Sequence, residues 1–486
     1  MSSTRKPNIV FILTDDQRFD AFGAAGSPVA TPAMDALAKR GTWFTHAHVA
    51  GGTVGAICMP SRAMIHSGRS LFRLHDSGRS IPADHTLLGE VLQDAGYTTF
   101  GSGKWHNGPD AFARSFSDGD EIFFGGMADH WNVPAFHYDP SGAYETKLPY
   151  ITHPMETNEL EYRHADHISA GRHSSELIAD AATAFLERHP SDGAPYLVYT
   201  AFLAPHDPRT MPEKYLEAYP PESIELPANF AAGHPFDNGA LHIRDEELAG
   251  FPRDPEEVKR HIAEYYAMIA HLDDCIGRIV SAVEARGDID DTIFVLAGDN
   301  GLAVGQHGLL GKQNLYDHSS RVPLLFAGPG IPAGAKRDDL VYLHDIAATL
   351  LGRLGLDRPA SMVDTRDLLA SPGGSAAGRA ADAGLAADGP RGELYLAYES
   401  VQRGLRTRTH KLIEYAVRGR HRVQLFDLVS DPSELVDLAN DAEHAALRAS
   451  LEQRLESSAR ESGDAESRWG HEFWSVARAD GMKEQV

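Results

Sequence analysis

The stretch NIVFILTDD, residues 8–16, is a run of apolar and β-branched side chains that ends in two aspartates. Continuous apolar runs of this length are typical of parallel strands covered on both faces. Four further runs share the pattern and also end in polar or glycine-rich residues: YTTFGSGKWH (97–106), PYLVYTAFLAPHDP (195–208), TIFVLAGDNG (292–301) and VPLLFAGPG (322–330). Together the five runs predict a largely parallel sheet in the interior of the protein.

Helical patterns lie between these runs. TPAMDALAKRG offers Thr31 as a cap, Pro32 at the first helical position and Gly41 after the end. HTLLGEVLQDAGY repeats the arrangement with Thr86 as the cap and Gly96 after the end. Both stretches therefore predict helices that connect neighbouring strands.

The longest predicted helix spans residues 256–286. Its apolar residues recur at spacings of three and four and form one stripe: Ile262, Tyr265, Ile269, Leu272, Ile276, Ile279 and Val283. Alternation of strands and helices over most of the chain predicts an α/β fold, with a large, mostly parallel sheet flanked by helices.

The composition and the hydrophobic pattern change towards the C-terminus. We predict a catalytic α/β domain over residues 1–370 and a Gly/Ala-rich linker over 371–391. Residues 392–486 contain the short alternating segments ELYLAYES, KLIEYAV and RVQLFDL, followed by a helix with Leu447, Leu451 and Leu455 on one face. This region predicts a smaller subdomain of antiparallel sheet plus helix.

Composition limits the function classes. Two cysteines in 486 residues cannot form a disulfide framework, and this favours a reducing, cytoplasmic setting. The apolar run at the N-terminus is too short for a signal peptide or a membrane span. The formal net charge of −24 argues against nucleic acid or an anionic membrane as a partner, although it leaves a small anionic substrate open.

Polar residues follow the predicted strands at the edge where α/β proteins bind ligands. Asp15 and Asp16 follow the first run, and Asp299 and Asn300 follow the fourth. Carboxylate and amide oxygens without His or Cys suit a hard cation, Ca²⁺ or Mg²⁺. Helix capping and turn formation are the alternative for either pair alone. Two acidic pairs at adjacent strand ends would repel one another without a cation, which favours the metal site.

Basic and imidazole side chains occupy other loops of the same edge. Lys104 and His106 end the second run, His206 follows the third, and Lys312 lies in the glycine-rich stretch GQHGLLGKQN. Lysines can hold an oxyanion while a histidine transfers protons. A solvated surface position is the alternative for each of them.

Cys58 lies in CMPSR, where Pro60 predicts the start of a helix. A helix N-terminus favours a thiolate, and Arg62 could reach back over the same place. A cysteine hydrolase is therefore one hypothesis. However, a thiolate is a poor match for a hard-metal site, where an oxygen nucleophile fits better. Cys275 lies in the long helix and is interpreted as a small buried hydrophobe.

These segments resemble the type I sulfatases of the alkaline phosphatase superfamily. CMPSR with the downstream SGRS resembles the sulfatase signature, and NIVFILTDDQ, GKWH, the PH after the third strand, GDNG and HGLLGK follow in the family's order. RTRTHKLIEY and QLFDLVSDPSE resemble the family's C-terminal subdomain. The resemblance covers essentially the whole chain.

The resemblance implies that a maturation enzyme oxidises Cys58 to Cα-formylglycine, recognising Cys58, Pro60 and Arg62. The hydrated aldehyde would be the oxygen nucleophile, and S–O cleavage would pass through a covalent sulfo-enzyme. The resemblance also implies a Ca²⁺ (or Mg²⁺) site formed by Asp15, Asp16, residue 58, Asp299 and Asn300. Arg62 would stabilise the diol, and His106 would remove its proton. His206 and Lys312 would assist the leaving group, and Lys104 would neutralise charge on the sulfate.

The substrate is less sharply indicated. The chain resembles bacterial sulfatases that act on sulfated carbohydrates, such as uronate or hexose O-sulfates. We predict that His130, Trp131 and His137 form a sugar-binding wall and that Arg209 pairs with a substrate carboxylate. Loop packing and surface charge are the alternative for these four residues. Alternative functions are phosphonate monoester or phosphodiester hydrolysis on the same fold, or non-catalytic carbohydrate binding. The oligomeric state is not indicated.

Overall fold

The computed structural model describes residues 6–153, 155–370 and 388–479. A nine-stranded sheet dominates it, with strand order β12-β2-β13-β11-β1-β10-β4-β5 and β14 paired to β2. The strands of this sheet are β1 (Asn8–Thr14), β2 (Gly41–His48), β4 (Thr98–Lys104), β5 (Asp118–Phe123), β10 (Tyr196–Ala201), β11 (Thr292–Gly298), β12 (Arg321–Val322), β13 (Leu324–Ala327) and β14 (Ala335–Tyr342).

Nine shorter or C-terminal strands complete the described part. They are β3 (Gly51–Gly52), β6 (Pro134–Ala135), β7 (Lys147–Tyr150), β8 (Glu161–His164), β9 (His167–Ile168), β15 (Glu393–Tyr398), β16 (Gln402–Thr407), β17 (His410–Val417) and β18 (Arg420–Asp427). β6 pairs with β9 and β7 with β8 as two-stranded sheets within the segment between β5 and the next helix.

The α-helices are α1 (Pro32–Arg40), α2 (Cys58–Ser67), α3 (Leu88–Asp94), α4 (Pro109–Ser115), α5 (Ser174–Arg188), α6 (Glu213–Leu216), α7 (Pro255–Ala285), α8 (Asp317–Ser320), α9 (Asp345–Leu354), α10 (Ala445–Ser462) and α11 (Arg468–Ala477). Short 3₁₀ turns occupy Gly23–Ala25, Leu71–Arg73, His75–Gly78, Pro221–Ser223, Glu246–Leu248, Ile289–Asp291 and Ala442–His444.

The predicted α/β architecture is confirmed, with one error of strand direction. β11, β1, β10, β4 and β5 are mutually parallel, but β13 runs antiparallel to β11. A parallel return would need a long crossover to the opposite edge of the sheet. The connection from Gly298 to Leu324 contains only the four-residue helix α8 and the two-residue strand β12, so no helix crosses the sheet and β13 returns beside β11.

Helix boundaries follow the sequence signals only in part. Thr31 precedes α1 as predicted, but its hydroxyl accepts the Gly23 N–H instead of capping the helix. Thr86 is not the cap of α3, because Leu87 holds that position and the Glu90 carboxylate accepts the Leu87 N–H. α2 begins at Cys58, two residues before Pro60.

The core lies on both faces of the large sheet. Ile9, Phe11 and Leu13 belong to one buried apolar cluster, whereas Val10 and Ile12 belong to the other. The second cluster contains the apolar stripe of α7 and the buried side of α5, and the first continues into the C-terminal sheet. Burial of both faces explains why β1 has no polar alternation.

The smaller C-terminal sheet has the order β18-β17-β16-β15-β3. β15–β18 are antiparallel as predicted, while β3 joins β15 in parallel from the N-terminal part of the chain. Leu451 and Leu455 are buried on α10. β16 and α11 were not anticipated. Of the predicted linker, residues 371–387 lie outside the described residues, and the division into domains stays a prediction.

None of the helices in the described ranges is long and apolar enough to span a bilayer.

Candidate functional site

Four neighbouring parallel strands deliver the predicted site residues to one edge of the sheet. β11, β1, β10 and β4 are adjacent in that order, so their carboxyl ends meet. Asp15 follows β1, Asp299 follows β11, Lys104 ends β4, and His206 lies beyond β10. All of these side chains are buried. The structure thus brings together residues that are up to about three hundred positions apart in the sequence.

The predicted metal donors form one compact group. The Asp16 N–H donates to Asp299 Oδ1 at 3.2 Å, and Asn300 Nδ2 donates to Asp16 Oδ1 at 2.6 Å. One potential ligand atom from each of Asp15, Cys58 and Asp299 lies within 4.8 Å of the other two. Asp16 adopts a left-handed conformation with φ 63°. Such a backbone in a non-glycine residue stores strain of the kind found at ligand-binding sites.

Two oxygens in this group have no hydrogen-bond partner in the described part of the chain. They are Asp15 Oδ1 and Asn300 Oδ1, both buried. A buried acceptor without a partner costs free energy unless a ligand satisfies it. Because the donor set is carboxylate and amide oxygen, the residues present fit a hard divalent cation.

The carboxylates differ in their electrostatics. Burial would raise the pKa of Asp15, but Lys104, His206 and Arg62 together lower it well below its usual range. Burial and the neighbouring Asp15 raise the pKa of Asp299 to about 7. Burial likewise raises the pKa of Asp16 to about 6, against the opposing effect of Lys312. Burial therefore disfavours the ionised forms of Asp16 and Asp299, whereas the neighbouring cations stabilise the ionised form of Asp15.

Cys58 is the first residue of α2 and faces this group. Its Sγ lies 3.3 Å from Lys104 Nζ and 3.5 Å from His106 Nδ1. The expectation of a favoured thiolate is wrong, because burial raises the pKa of the Cys58 thiol and outweighs the attraction of Lys104 and Lys312. The position at the helix N-terminus does not compensate for the loss of water.

Arg62, one turn further along α2, is tied to the same group. Its Nε donates to Asp299 Oδ2 at 2.8 Å, Nη1 donates to the Lys104 carbonyl at 2.5 Å, and Nη2 lies 3.6 Å from Asp15 Oδ2. The side chain is fully buried, and these contacts fix the guanidinium between β1, β4 and β11. Arg62 therefore ties α2 to the residues at the ends of β1, β4 and β11.

The two lysines take the carboxylates as partners. Lys104 Nζ contacts Asp15 Oδ2, and Lys312 Nζ donates to Asp16 Oδ1 at 2.5 Å. With Arg62, three permanent cations face the three carboxylates of the group. The protein charges of the site therefore balance without an ion.

The two predicted catalytic histidines lie on opposite sides of the carboxylates. His206 Nε2 is 3.7 Å from Asp16 Oδ2, and His206 Nδ1 is 2.8 Å from the Asp207 carbonyl oxygen. Burial, reinforced by Lys104 and Arg62, lowers the pKa of His106 to about 2. Burial and Lys312 lower the pKa of His206 well below its usual value.

The residues predicted to form a sugar-binding wall do not share one surface. His130 is buried, with Nδ1 2.8 Å from Ser174 Oγ and Nε2 3.0 Å from the His206 carbonyl oxygen. The prediction that His130 faces a sugar is therefore wrong, because both ring nitrogens are engaged behind His206. Trp131 is half-buried and lies edge-on to His173. His137 is exposed at the outer edge of β5.

Arg209 lies near the site but is half-enclosed by α7. Its Nη1 is 2.9 Å from His261 Nδ1, while Nε and Nη2 are buried without a hydrogen-bond partner in the described residues. Burial lowers the pKa of Arg209 despite the attraction of Glu264. Two unsatisfied guanidinium nitrogens leave room for an anionic partner if the surrounding side chains move.

Sequence reasoning missed three supporting residues. Ser61 Oγ donates to the Asp299 carbonyl at 2.6 Å, and Tyr265 on α7 donates its hydroxyl to the Asp16 carbonyl at 2.6 Å. Gly126 lies against His106, since a Cβ there would be 2.9 Å from His106 Nε2. Tyr265 carried a usable signal, because it was the one hydroxyl in an otherwise aliphatic stripe.

Comparison with known proteins gives the same picture at the level of the whole chain. The family model described as Sulfatase matches residues 7–356. The ulvan-active sulfatase of Formosa agariphila is 29% identical over 472 residues, which cover 94% of this chain and 82% of the relative. The N-acetylglucosamine-6-O-sulfatase of Bacteroides thetaiotaomicron is 24% identical over 525 residues, covering 93% of this chain and 86% of the relative.

A solved structure shares the fold. The phosphonate monoester hydrolase of Agrobacterium radiobacter superposes with a TM-score of 0.69 at 23% identity, covering 94% of this chain and 96% of that one. The family match spans well over half of the chain and contains every residue of the buried group described above. The chain therefore belongs to the sulfatase family and is a sulfuric ester hydrolase.

Proposed function

We propose that this sulfatase cleaves the sulfate ester of a small sulfated carbohydrate, with residue 58 converted to Cα-formylglycine and one Ca²⁺ held beside it. The observation that carries the proposal is that Asp15 Oδ1 and Asn300 Oδ1 are buried without a hydrogen-bond partner among the described residues, in the group where ligand atoms of Asp15, Cys58 and Asp299 lie within 4.8 Å of one another. Mg²⁺ is the alternative ion for the same donors.

Asp15, Asp16, Asp299 and Asn300 would hold the ion. When bound, a divalent cation neutralises charge on the sulfate oxygens and on an ionised nucleophile. The charge count supports this arrangement, because the three carboxylates are already balanced by Arg62 and two lysines. Two added positive charges then match one negative charge from a sulfate monoester and one from the nucleophile.

The modification of Cys58 follows from the site's chemistry. An aldehyde-derived oxygen suits an oxygen-lined cation site, whereas the thiol of Cys58 has a raised pKa there. Cys58, Pro60 and Arg62 stand at the positions that the maturation enzyme of the family reads. A formylglycine-generating enzyme is therefore a required partner in this proposal.

The chain's own residues divide the remaining work. Lys104, 3.3 Å from Cys58 Sγ, neutralises charge on the sulfate, and Arg62 fixes the position of residue 58 through α2. His106, with Nδ1 3.5 Å from Sγ, accepts a proton from the nucleophilic group. Its lowered pKa keeps this nitrogen unprotonated at neutral pH.

His206 and Lys312 act at the leaving oxygen. They lie beside Asp16 on the side of the group away from His106. A sugar alkoxide is a poor leaving group, so donation of a proton from Lys312 Nζ lowers the barrier to S–O cleavage. His206 donates from Nε2 only as an imidazolium, the form that the negative charge of a bound sulfate ester favours. His206 and Lys312 are therefore more useful for an alcohol ester than for a phenol ester, whose leaving group needs less assistance.

The carbohydrate class rests on the relatives. Their names specify ulvan and N-acetylglucosamine 6-O-sulfate, both sulfated saccharides. Arg209 is proposed to contact an anionic group of the sugar, with Trp131 on the outer side of the substrate. The predicted cytoplasmic location stays a prediction.

The test is a screen of sulfated mono- and disaccharides with free sulfate as the readout. The protein is co-expressed with a formylglycine-generating enzyme, and mass spectrometry of the peptide containing residue 58 verifies its conversion. We expect sulfate release from at least one saccharide and none by Cys58→Ala. Matched aryl sulfate, phosphonate monoester and phosphate diester substrates are compared by kcat/KM. A higher value for the phosphonate than for every sulfate would contradict the proposal.

A further inference from the structure

Two histidines and three carboxylates converge at the outer edge of the large sheet, away from the catalytic site. Asp120 and Glu121 lie on β5, His137 follows β6, and Asp166 and His167 lie at the start of β9. We refer to these five residues as the β5 histidine cluster. They belong to three separate segments of the chain, so only the tertiary structure brings them together.

The contacts within the cluster are short and mutual. His137 Nδ1 is 2.7 Å from Asp120 Oδ1, and His167 Nε2 is 3.1 Å from Glu121 Oε2. Asp166 contacts His167 Nδ1 and accepts the His137 backbone N–H at 3.0 Å. The two imidazole rings stack with centroids 4.2 Å apart and planes 14° apart. One ligand atom from each of His137, Asp166 and His167 lies within 4.8 Å of the other two.

The cluster carries excess negative charge. Its three carboxylates share only two imidazoles, and no lysine or arginine of the described ranges forms an ion pair with any of them. Even with both rings protonated, one negative charge stays uncompensated. The exposed fraction falls from 66% at His137 to 15% at Glu121. The cluster is therefore exposed at His137 and half-buried at Glu121 and His167.

We propose that the β5 histidine cluster binds one divalent transition-metal ion of the Zn²⁺ type through His137, Asp166 and His167. Two imidazoles and a carboxylate are ligands that Zn²⁺ prefers, in contrast to the oxygen donors of the catalytic site. Asp120 and Glu121 each hold one imidazole, which is how carboxylates orient ligating histidines in metal sites. A solvent molecule completes the coordination on the exposed side.

The ion fastens the segment between β5 and α5 to the sheet. That segment contains the β6–β9 pair, and through Gly126 it lies directly against His106. β6 and β9 are each only two residues long, so few backbone hydrogen bonds hold this pair in place. A metal link between β5 and β9 stabilises the cover of the catalytic site without entering the chemistry.

Zinc titration calorimetry tests the proposal on the full chain in the presence of excess Ca²⁺, which occupies oxygen-donor sites. We expect the wild type to bind Zn²⁺ at least about tenfold more tightly than His137→Ala/His167→Ala. His164→Ala is the matched control, because His164 is an exposed histidine in the same segment but outside the cluster. It should bind Zn²⁺ as the wild type does. Equal affinities in the wild type and the double variant would overturn the proposal.

X-ray absorption at the zinc edge provides a readout that needs no variant. Zinc-loaded wild-type protein should show scattering from two imidazoles in the first coordination sphere. A spectrum with oxygen and sulfur ligands alone would place the ion at the catalytic site and overturn the proposal. Added Zn²⁺ should also raise the Tm of the wild type and of His164→Ala, and leave that of the double variant unchanged.

Discussion

Two buried clusters of charged side chains differ in how their charges are paired. The first, which we propose to be catalytic and call the catalytic cluster, contains Asp15, Asp16 and Asp299. The second, called the Asp317 cluster, consists of Asp317, Lys411, Arg406, His48 and Glu434, and it joins α8 to the C-terminal sheet. Both are almost fully buried.

The pKa values of Asp317 and Asp299 are shifted in opposite directions, although the pKa of Asp15 is lowered like that of Asp317 and the pKa of Glu434 is raised like that of Asp299. Burial would raise the pKa of Asp317, but Lys411 and Arg406 lower it well below its usual range. The Asp317 N–H also donates to Glu434 Oε2 at 2.8 Å. In the catalytic cluster, burial and like charge raise the pKa of Asp299 to about 7, and Asp15 Oδ1 has no partner within the described residues. The Asp317 cluster satisfies its carboxylate, whereas the catalytic cluster keeps acceptors available for a ligand.

We expect the Asp317 cluster to contribute mainly to the free energy of unfolding and the catalytic cluster mainly to activity. A charge pair that is satisfied in the folded protein destabilises it strongly when one partner is removed. A group that waits for a ligand contributes little to folding and much to activity. The same substitution in the two clusters should therefore have opposite consequences.

The largest expected effect is on turnover at residue 58. Cys58→Ala should lower kcat by about 10⁴-fold or more, because it removes the nucleophile. Its free energy of unfolding should change by less than about 2 kcal/mol, since a single buried sulfur is lost. Cys275→Ala, in α7, is the matched control and should keep its activity. Sulfate release assays and denaturant titrations check both outcomes, and equal losses in the two variants would contradict the assignment.

Cys58→Ser tests whether turnover depends on an aldehyde at residue 58. We expect no multiple turnover, because a serine sulfate ester cannot collapse to an aldehyde and expel sulfate. Rapid-mixing assays with excess substrate measure whether product exceeds one equivalent of enzyme. Sustained turnover by the serine variant would refute the aldehyde-dependent route.

Asp299→Asn should lower kcat/KM by about 10³-fold and abolish binding of one divalent ion, because a charged donor is lost. The Tm should fall less than in Asp317→Asn, because the asparagine oxygen can still accept the Arg62 Nε–H and burial already raises the pKa of Asp299 to about 7. Chelation of the wild-type protein should reproduce the loss of activity, and added Ca²⁺ should restore it. Ion content measured by atomic emission checks the ligand assignment. An Asp299→Asn variant that loses its ion but keeps the wild-type rate would contradict the role of the ion in catalysis.

Asp317→Asn makes the same chemical change in the other cluster. We expect the free energy of unfolding to fall by about 3–5 kcal/mol, because Lys411 is left buried without its main partner. The folded fraction should retain the ion and most of its activity. Denaturant unfolding and ion analysis on the same sample make the comparison. Unchanged stability would show that the two clusters do not differ in the way described.

The smallest effect is expected at His130. His130→Phe should lower kcat by about tenfold, because it removes the hydrogen bond to the His206 carbonyl and lets His206 shift. His130→Gln can still donate to that carbonyl and should recover part of the rate. KM should change little in either variant, since His130 does not face the substrate. A rise in KM without a loss of kcat would instead restore the earlier prediction of substrate contact.

Much of the fold was predictable because the local sequence pattern identifies β1 and its neighbouring strands. A strand buried on both faces must be apolar along its whole length, and the residue after it lies at the functional edge. Asp15, Lys104, His206 and Asp299 were accessible to sequence reasoning for this reason. His130 was placed wrongly because its sequence neighbours do not reveal that it packs behind His206.

The sequence by itself determined the strands, their polar ends and the pattern around Cys58, since these depend on side-chain type and short spacing. The tertiary structure alone decided the direction of β13, the pairing of β3 with β15 and the meeting of His137 with His167. Each of those features depends on contacts between residues far apart in the chain. Such contacts follow from how the whole core packs, and no local pattern encodes them.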